Sequence, residues 1–308
     1  MQTAIRVSGL RKRYGELEAV RGIDFEVAEG ECFALLGPNG AGKTTTVEIL
    51  EGYRDRDAGE VEVLGLDPRQ GGRGLRERVG IVLQSSGHFR ELTVREVLEL
   101  FGGYYPAPRA TGEVIDLVGL GEKAGARVKT LSGGQQRRLD LALGLVGDPD
   151  LLFLDEPTTG FDPSARRRSW ELIESLRELG KTILLTTHYM DEAQNLADRV
   201  AILAAGRVVA AGTPDSLGGR DEGEAMISFR LPAGATLADL PAGLPGRPAP
   251  REDRVELRTT EPTRALNLLT SWALAREEEL DALTVTRPSL EDVYLQLTGA
   301  EEQEPARA

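Results

Sequence analysis

A single cysteine stands in 308 residues. That excludes an internal disulfide, and Cys32, set in the apolar run "ECFALLG", reads as a small core residue. A chain without disulfides fits a reducing compartment. Long hydrophobic runs are missing too. No stretch approaches the ~18 apolar residues that a membrane helix needs. The opening residues, "MQTAIRVSGLRKRYG", lack the apolar centre of a signal peptide. The expectation is a soluble, cytoplasmic chain that needs a partner to span any membrane. Positive charge is also short: 37 Lys and Arg stand against 50 Asp and Glu, a net charge of −13. The basic clusters Arg11–Arg13 and Arg166–Arg168 are brief enough to be solvated faces. This balance disfavours nucleic acid and anionic lipid headgroups, so no nucleic-acid partner is expected.

The length suits one larger domain and one smaller one. Residues 1 to about 35 alternate as strands do, in "AIRVSGL", "IDFEV" and "CFALL". From Thr93 to about Leu145 the pattern turns helical. "DLLFLDEP" and "KTILLTTH" are continuous apolar runs, the mark of strands buried on both faces. An amphipathic helix, "SARRRSWELIESLRELG", lies between them. "VAILAAGRVVAAGTP" predicts a hairpin around Ala205-Gly206. Composition changes after Leu217. Residues 232 to 250 carry five prolines and read as a loop. The segment 220–300 otherwise reads as a small α/β unit whose last helix covers "SLEDVYLQLTG", and 301–308 as a disordered tail. There is no internal repeat, so one nucleotide core per chain is expected.

"GPNGAGKT" fits the pattern G-x-x-x-x-G-K-[ST] between a strand and a helix. Glycines let backbone N–H groups curl around phosphate oxygens, and the helix N-terminus adds its positive end. The stretch from Gly37 through Pro38, Asn39, Gly40, Ala41 and Gly42 to Lys43, Thr44 and Thr45 is the candidate ATP cradle. In this pattern the lysine neutralises the β- and γ-phosphates and the Thr44 hydroxyl ligates Mg²⁺. "LLFLDEP" offers the second half. Asp155, at the end of a buried strand, can face the metal. Glu156 is the candidate general base for an attacking water.

"LSGGQ", Leu131 to Gln135, decides the class. With its neighbours it resembles the ATP-binding subunit of ABC transporters, motif by motif, across residues 1 to 217. The resemblance implies an α/β fold: a P-loop NTPase core with an N-terminal antiparallel β subdomain, an inserted helical subdomain at about 88–148, and a small C-terminal α/β domain at 220–300. It implies that Tyr14 stacks on adenine. Gln84 would touch Mg²⁺ or water and sense the membrane partner, and His188 would contact the γ-phosphate. Asp162 would lie in the loop between subunits. Ser132, Gly133, Gly134 and Gln135 would bind the γ-phosphate held by a second subunit, since a Ser-Gly-Gly helix start is an anion site. Two chains, identical or paired, would then sandwich two ATP molecules. Arg137 and Arg138 receive no role from this pattern, and His88 reads as a surface residue.

"PSLEDVYLQLTG" and "TTGFDPSARRRSW" resemble ATPase subunits of daunorubicin-type drug exporters. Such subunits work with a separate polytopic permease, on the inner face of the membrane. That implies export of a drug or other hydrophobic compound. The alternatives are a subunit of an ABC importer, or a soluble ABC ATPase acting on ribosomes or DNA. The second fits poorly with one cassette, no sustained heptads and an acidic balance. A GTPase would carry an Asn-Lys-x-Asp motif, which the sequence lacks.

Overall fold

A computed structural model of the chain describes residues 2–82, 89–217, 225–232, 234–251, 253–286 and 294. Gln84, His88, the tail and all of the expected final helix except Tyr294 lie outside those residues. The chain divides into two compact units, Met1–Pro214 and Asp215–Ala308.

The first unit is built on two sheets. Strands β1 (Thr3–Tyr14), β2 (Leu17–Ala28) and β4 (Ala58–Val63) form an antiparallel layer in the order β2-β1-β4. The second sheet has six strands: β3 (Cys32–Leu36), β5 (Val79–Val82), β6 (Leu151–Asp155), β7 (Thr182–Thr187), β8 (Arg199–Ala204) and β9 (Arg207–Gly212). Their order is β5-β6-β7-β3-β8-β9, all parallel except the β8–β9 hairpin. The hairpin turns at Ala205-Gly206, as its sequence predicts. Strand β7, expected as a continuous run, is buried at every residue. So is β3, whose expected alternation is corrected because it is covered on both faces, and the two occupy the centre of the sheet. The two sheets share one core, in which Phe25 of β2 stacks on Phe33 of β3 with ring centroids 5.4 Å apart.

Helix α1 (Lys43–Leu50) follows β3, and the short α2 (Gly72–Arg76) precedes β5. The segment between β5 and β6 is helical: α3 (Val94–Gly102), α4 (Thr111–Leu117) and α5 (Gly133–Leu145). A capping box between Thr93 and Glu96 starts α3. After β6 comes α6 (Pro163–Glu178), with Asp162 as its N-cap and Pro163 in its first turn. Helix α7 (Met190–Leu196) joins β7 to β8. No helix among the described residues is long and apolar enough to cross a membrane.

The second unit holds β10 (Ala225–Phe229), β11 (Arg247–Arg251), β12 (Arg254–Thr259), helix α8 (Pro262–Ala275) and β13 (Thr284–Thr286). The sheet runs β11-β12-β10-β13, entirely antiparallel. Its own small core is built from Ile227, Phe229, Val255, Leu257, Ala265 and Leu269. One expectation needs correcting: the proline-bearing run does not end as loop, because "RPAPR" forms β11. It can do so because β11 is an edge strand, and proline's missing N–H is tolerated there.

Helix α5 lies against β5 through two glycines. A Cβ on Gly80 would sit 2.1 Å from the Gly144 carbonyl oxygen and 2.7 Å from Leu152 Cδ2. Neither backbone nor a buried leucine yields that distance cheaply. Gly80→Ala is expected to lower unfolding free energy by about 1–3 kcal/mol through overpacking. Urea denaturation of the two proteins measures it.

Candidate active site

The parallel strands end on one edge of the six-stranded sheet, and that edge gathers the motifs. The phosphate loop leaves β3, Asp155 ends β6, and His188 follows β7. The loop is tied down at both ends. Gly37 N–H donates to Thr187 O at 3.3 Å, and Gly206 N–H donates to Ala41 O at 3.2 Å. Gly42 has φ of 101°, and a Cβ there would lie 2.6 Å from the Ala19 carbonyl oxygen. Both facts demand glycine at this position. Pro38, Asn39 and Gly40 are exposed, whereas Lys43 is buried.

Lys43 Nζ donates to the carbonyls of Gly37 (2.7 Å) and Pro38 (3.1 Å) and lies 3.9 Å from Glu156 Oε1. Burial pulls the ammonium below its ordinary value, and the charges of Glu156 and Asp155 oppose that. Glu156 is the hub. Its Oε1 is 3.3 Å from His188 Nδ1, and its Oε2 accepts from Thr159 Oγ1 at 3.0 Å. Its backbone has φ of 47°, an uncommon conformation for a residue with a side chain. Thr186 anchors this stretch. Its hydroxyl donates to Asp155 Oδ1 and accepts from Glu156 N–H at 3.1 Å.

The candidate signature caps a helix. Ser132 Oγ accepts from Gln135 N–H at 3.4 Å, and Gln135 Oε1 accepts from Ser132 N–H at 2.9 Å. A Cβ added at Gly133 or Gly134 would meet nothing within 4 Å, and neither residue has a positive φ. Among the described residues, packing and backbone shape therefore give no reason for glycine here. Among the described residues, no hydrogen bond or ion pair joins Gly37–Thr45 to Leu131–Gln135.

Tyr14, 38% exposed, ends β1. The Lys12 ammonium and the Arg54 guanidinium lie 5.6 and 5.2 Å from its ring centroid. Asp162 is occupied in capping α6, accepting from Ser164 and Ala165 N–H groups at 2.9 Å each. These bonds hold its carboxyl below the ordinary range, that from Ala165 first.

Three residues with no assigned part in the sequence reading stand inside this site. Thr159 and Thr186 are described above. The third is Arg137, on α5, which reaches the backbone that follows β6. Thr186 left a trace in the sequence, a polar pair closing an otherwise apolar strand. Arg137 left none beyond its place on the signature helix.

A family profile described as "ABC transporter" matches residues 20–159. Over 98% of its length the chain is 42% identical to "Nod factor export ATP-binding protein I" of Paraburkholderia xenovorans, covering 99% of that protein. This chain belongs to the ABC transporter family. It is an ATP-binding subunit of that family and hydrolyses ATP for transport. It is also 40% identical to a daunorubicin resistance ATP-binding protein of Streptomyces coeruleorubidus, with 96% of each chain covered. A second profile, the C-terminal domain of "ABC transporter domain-containing protein-like", matches residues 225–289. Among solved ABC structures, a subunit of the cbiONQ transporter complex from Clostridium perfringens superposes with a TM-score of 0.65 at 28% identity, covering 72% of this chain and 93% of that one. An ATP-binding cassette dimer holding ADP and Pi after hydrolysis gives a TM-score of 0.61 at 25% identity, covering 68% of this chain and 98% of that one.

Glu51 closes α1 as its C-cap. Burial, then the charges of Asp155 and Glu48, push its carboxyl from an ordinary value of 4.5 up to about 8. A raised folded value means that the folded chain holds a proton the unfolded chain releases. Stability from this group is present below the unfolded value and falls as pH rises toward about 8. Glu51→Gln is expected to flatten that fall by about 1–2 kcal/mol between roughly pH 5 and 8. Urea midpoints of both proteins at the two pH values check it.

Proposed function

We propose that this chain is the ATPase of an exporter, docked on a separate membrane permease at the cytoplasmic face and working as a dimer with ATP between its subunits. The two relatives that match almost end to end are named for Nod factor export and for daunorubicin resistance. Those names support export over import or a ribosomal task. They support a drug or other hydrophobic cargo.

The observation that carries the dimer is the unexplained pair of glycines at the start of α5. Among the described residues nothing crowds them, and a close approach from outside accounts for them. A phosphate on a second subunit fits: free N–H groups and the positive helix end favour an anion there. The solved relative with ADP and Pi is itself a dimer. An identical or paired partner is compatible with this geometry.

On binding, phosphate oxygens compete with the Gly37 and Pro38 carbonyls and with Glu156 for the Lys43 ammonium. That releases the Glu156 carboxylate from its nearest cation. Thr44 hydroxyl and the Asp155 carboxylate are hard oxygen donors, the set that Mg²⁺ takes together with substrate phosphates. When bound, the ion neutralises charge on the β- and γ-phosphates. Glu156 accepts a proton from the attacking water as its oxygen bonds to the γ-phosphorus. The bond to the bridging oxygen breaks, leaving ADP and inorganic phosphate. His188, 3.3 Å from the same carboxylate, orients it and reaches the γ-phosphate. Tyr14 offers its exposed ring to adenine.

Glu156→Gln keeps the size and hydrogen bonds of the side chain but not its basicity. With Mg-ATP this variant is expected to elute as a stable dimer in gel filtration and to turn over at least about 100-fold more slowly. A monomer with ordinary turnover overturns the assignment. For the transporter reading, the tagged chain is purified from detergent-solubilised membranes of its host. Mass spectrometry is expected to find a polytopic membrane protein. Ribosomal or DNA-associated proteins in its place would refute export.

A further inference from the structure

Arg137 lies one and a half turns into α5, five residues after the capping Ser132. Its side chain is only 12% exposed. It does not point to solvent as a helix-surface arginine does. Nε donates to Pro157 O at 3.2 Å, and Nη2 donates to Asp155 O at 3.1 Å and to Glu156 O at 3.2 Å. Three consecutive carbonyls thus converge on one guanidinium. They belong to the residue at the metal position, the candidate base and the proline after it. Asp140, one turn further along α5 and equally buried, lies 3.9 Å from Nη1 and balances the charge.

This arrangement is specific to arginine. A planar fork with several fixed donors can satisfy three carbonyls at once, whereas an ammonium is a point charge on a flexible stem. The clamp also falls where the backbone is least ordinary. Glu156 has φ of 47°, and such conformations persist only when their surroundings over-determine them. From below, Thr186 holds the N–H of Glu156. From the helix side, Arg137 holds its carbonyl. Between them both faces of this peptide stretch are fixed.

We infer that Arg137 is a positioning residue that ties the helix carrying Ser132 to the loop carrying Glu156, so that engagement of the helix start sets the aim of the base in the same chain. This rests on the reading of Glu156 as base and of Ser132 as the site for the partner's nucleotide. In such a dimer the start of α5 caps one ATP while Glu156 of the same chain serves the other. A single rigid helix and one guanidinium then connect the two sites, and occupancy of one is felt in the geometry of the other.

The test uses the full chain with Arg137→Lys, Arg137→Met and Arg137→Ala. Arg137→Lys keeps the cation beside Asp140 and guards against simple loss of fold. ATP affinity, read with a fluorescent nucleotide, is expected to stay within about twofold in all three, because the phosphate loop is untouched. Turnover is expected to fall about tenfold or more, with Arg137→Lys failing to restore it, and the Hill coefficient for ATP is expected to drop toward one. Methylguanidine added to Arg137→Ala should recover turnover, a response that general destabilisation would not give. On a Glu156→Gln background, Arg137→Met should slow single-turnover hydrolysis no further, since both changes act on the same group. Full turnover in Arg137→Met, recovery by Lys, or an equal loss with and without Glu156 would each overturn the inference. If Glu156→Gln alone leaves turnover intact, it is the underlying reading of the base that fails.

Discussion

The register between β6 and β7 governs the catalytic edge. Asp155 pairs with Thr186 across the two parallel strands, so one hydroxyl reaches both the Asp155 carboxylate and the Glu156 N–H. A one-residue slip of β6 against β7 would turn Asp155 to the face opposite Thr186 and separate the two side chains. The neighbouring pairing of β7 with β3 brings the phosphate loop alongside, so that the ammonium of Lys43 meets Glu156. Parallel order is what makes this possible. The strand ends that carry the phosphate loop, Asp155 and His188 all emerge on one side. The fully buried middle strands, β3 and β7, supply the rigidity that holds those groups within hydrogen-bonding reach.

Glycine stands in opposite settings at the phosphate loop and at the start of α5. At Gly42 the demand is internal: a left-handed φ and the Ala19 carbonyl leave no room for a side chain. At Gly133 and Gly134 there is room among the described residues and an ordinary backbone, and under the proposed function the demand comes from a partner's nucleotide. Arg137 stands on the same helix and reaches the inner site through the backbone carbonyls of Asp155, Glu156 and Pro157.

Much of this architecture was legible in the residues. Continuous apolar runs marked β6 and β7 as interior strands, and alternation marked β1 and β2 as half-buried ones. Gly and Lys spacing marked the phosphate loop. The hairpin at Ala205-Gly206 announced itself through its turn. What stayed hidden depends on tertiary placement. The role of Arg137 comes from the direction of its side chain across the gap to β6, which no local pattern encodes. Thr159 becomes a partner of Glu156 only because the loop after β6 doubles back. Proline content misled at β11, because the sequence does not reveal which strand will lie at a sheet's edge.

That edge has a bearing on how the second unit behaves in a crowded cell. Pro248 and Pro250 lie two residues apart on β11, so their missing donors belong to the same side of the strand. With β12 paired on the inner side, the outer rim offers an incoming strand acceptors but few donors. A foreign strand cannot build a ladder along it. The prolines thereby guard this sheet against runaway strand addition and fibre growth, a hazard that a chain rich in exposed antiparallel edges would otherwise carry each time it is synthesised.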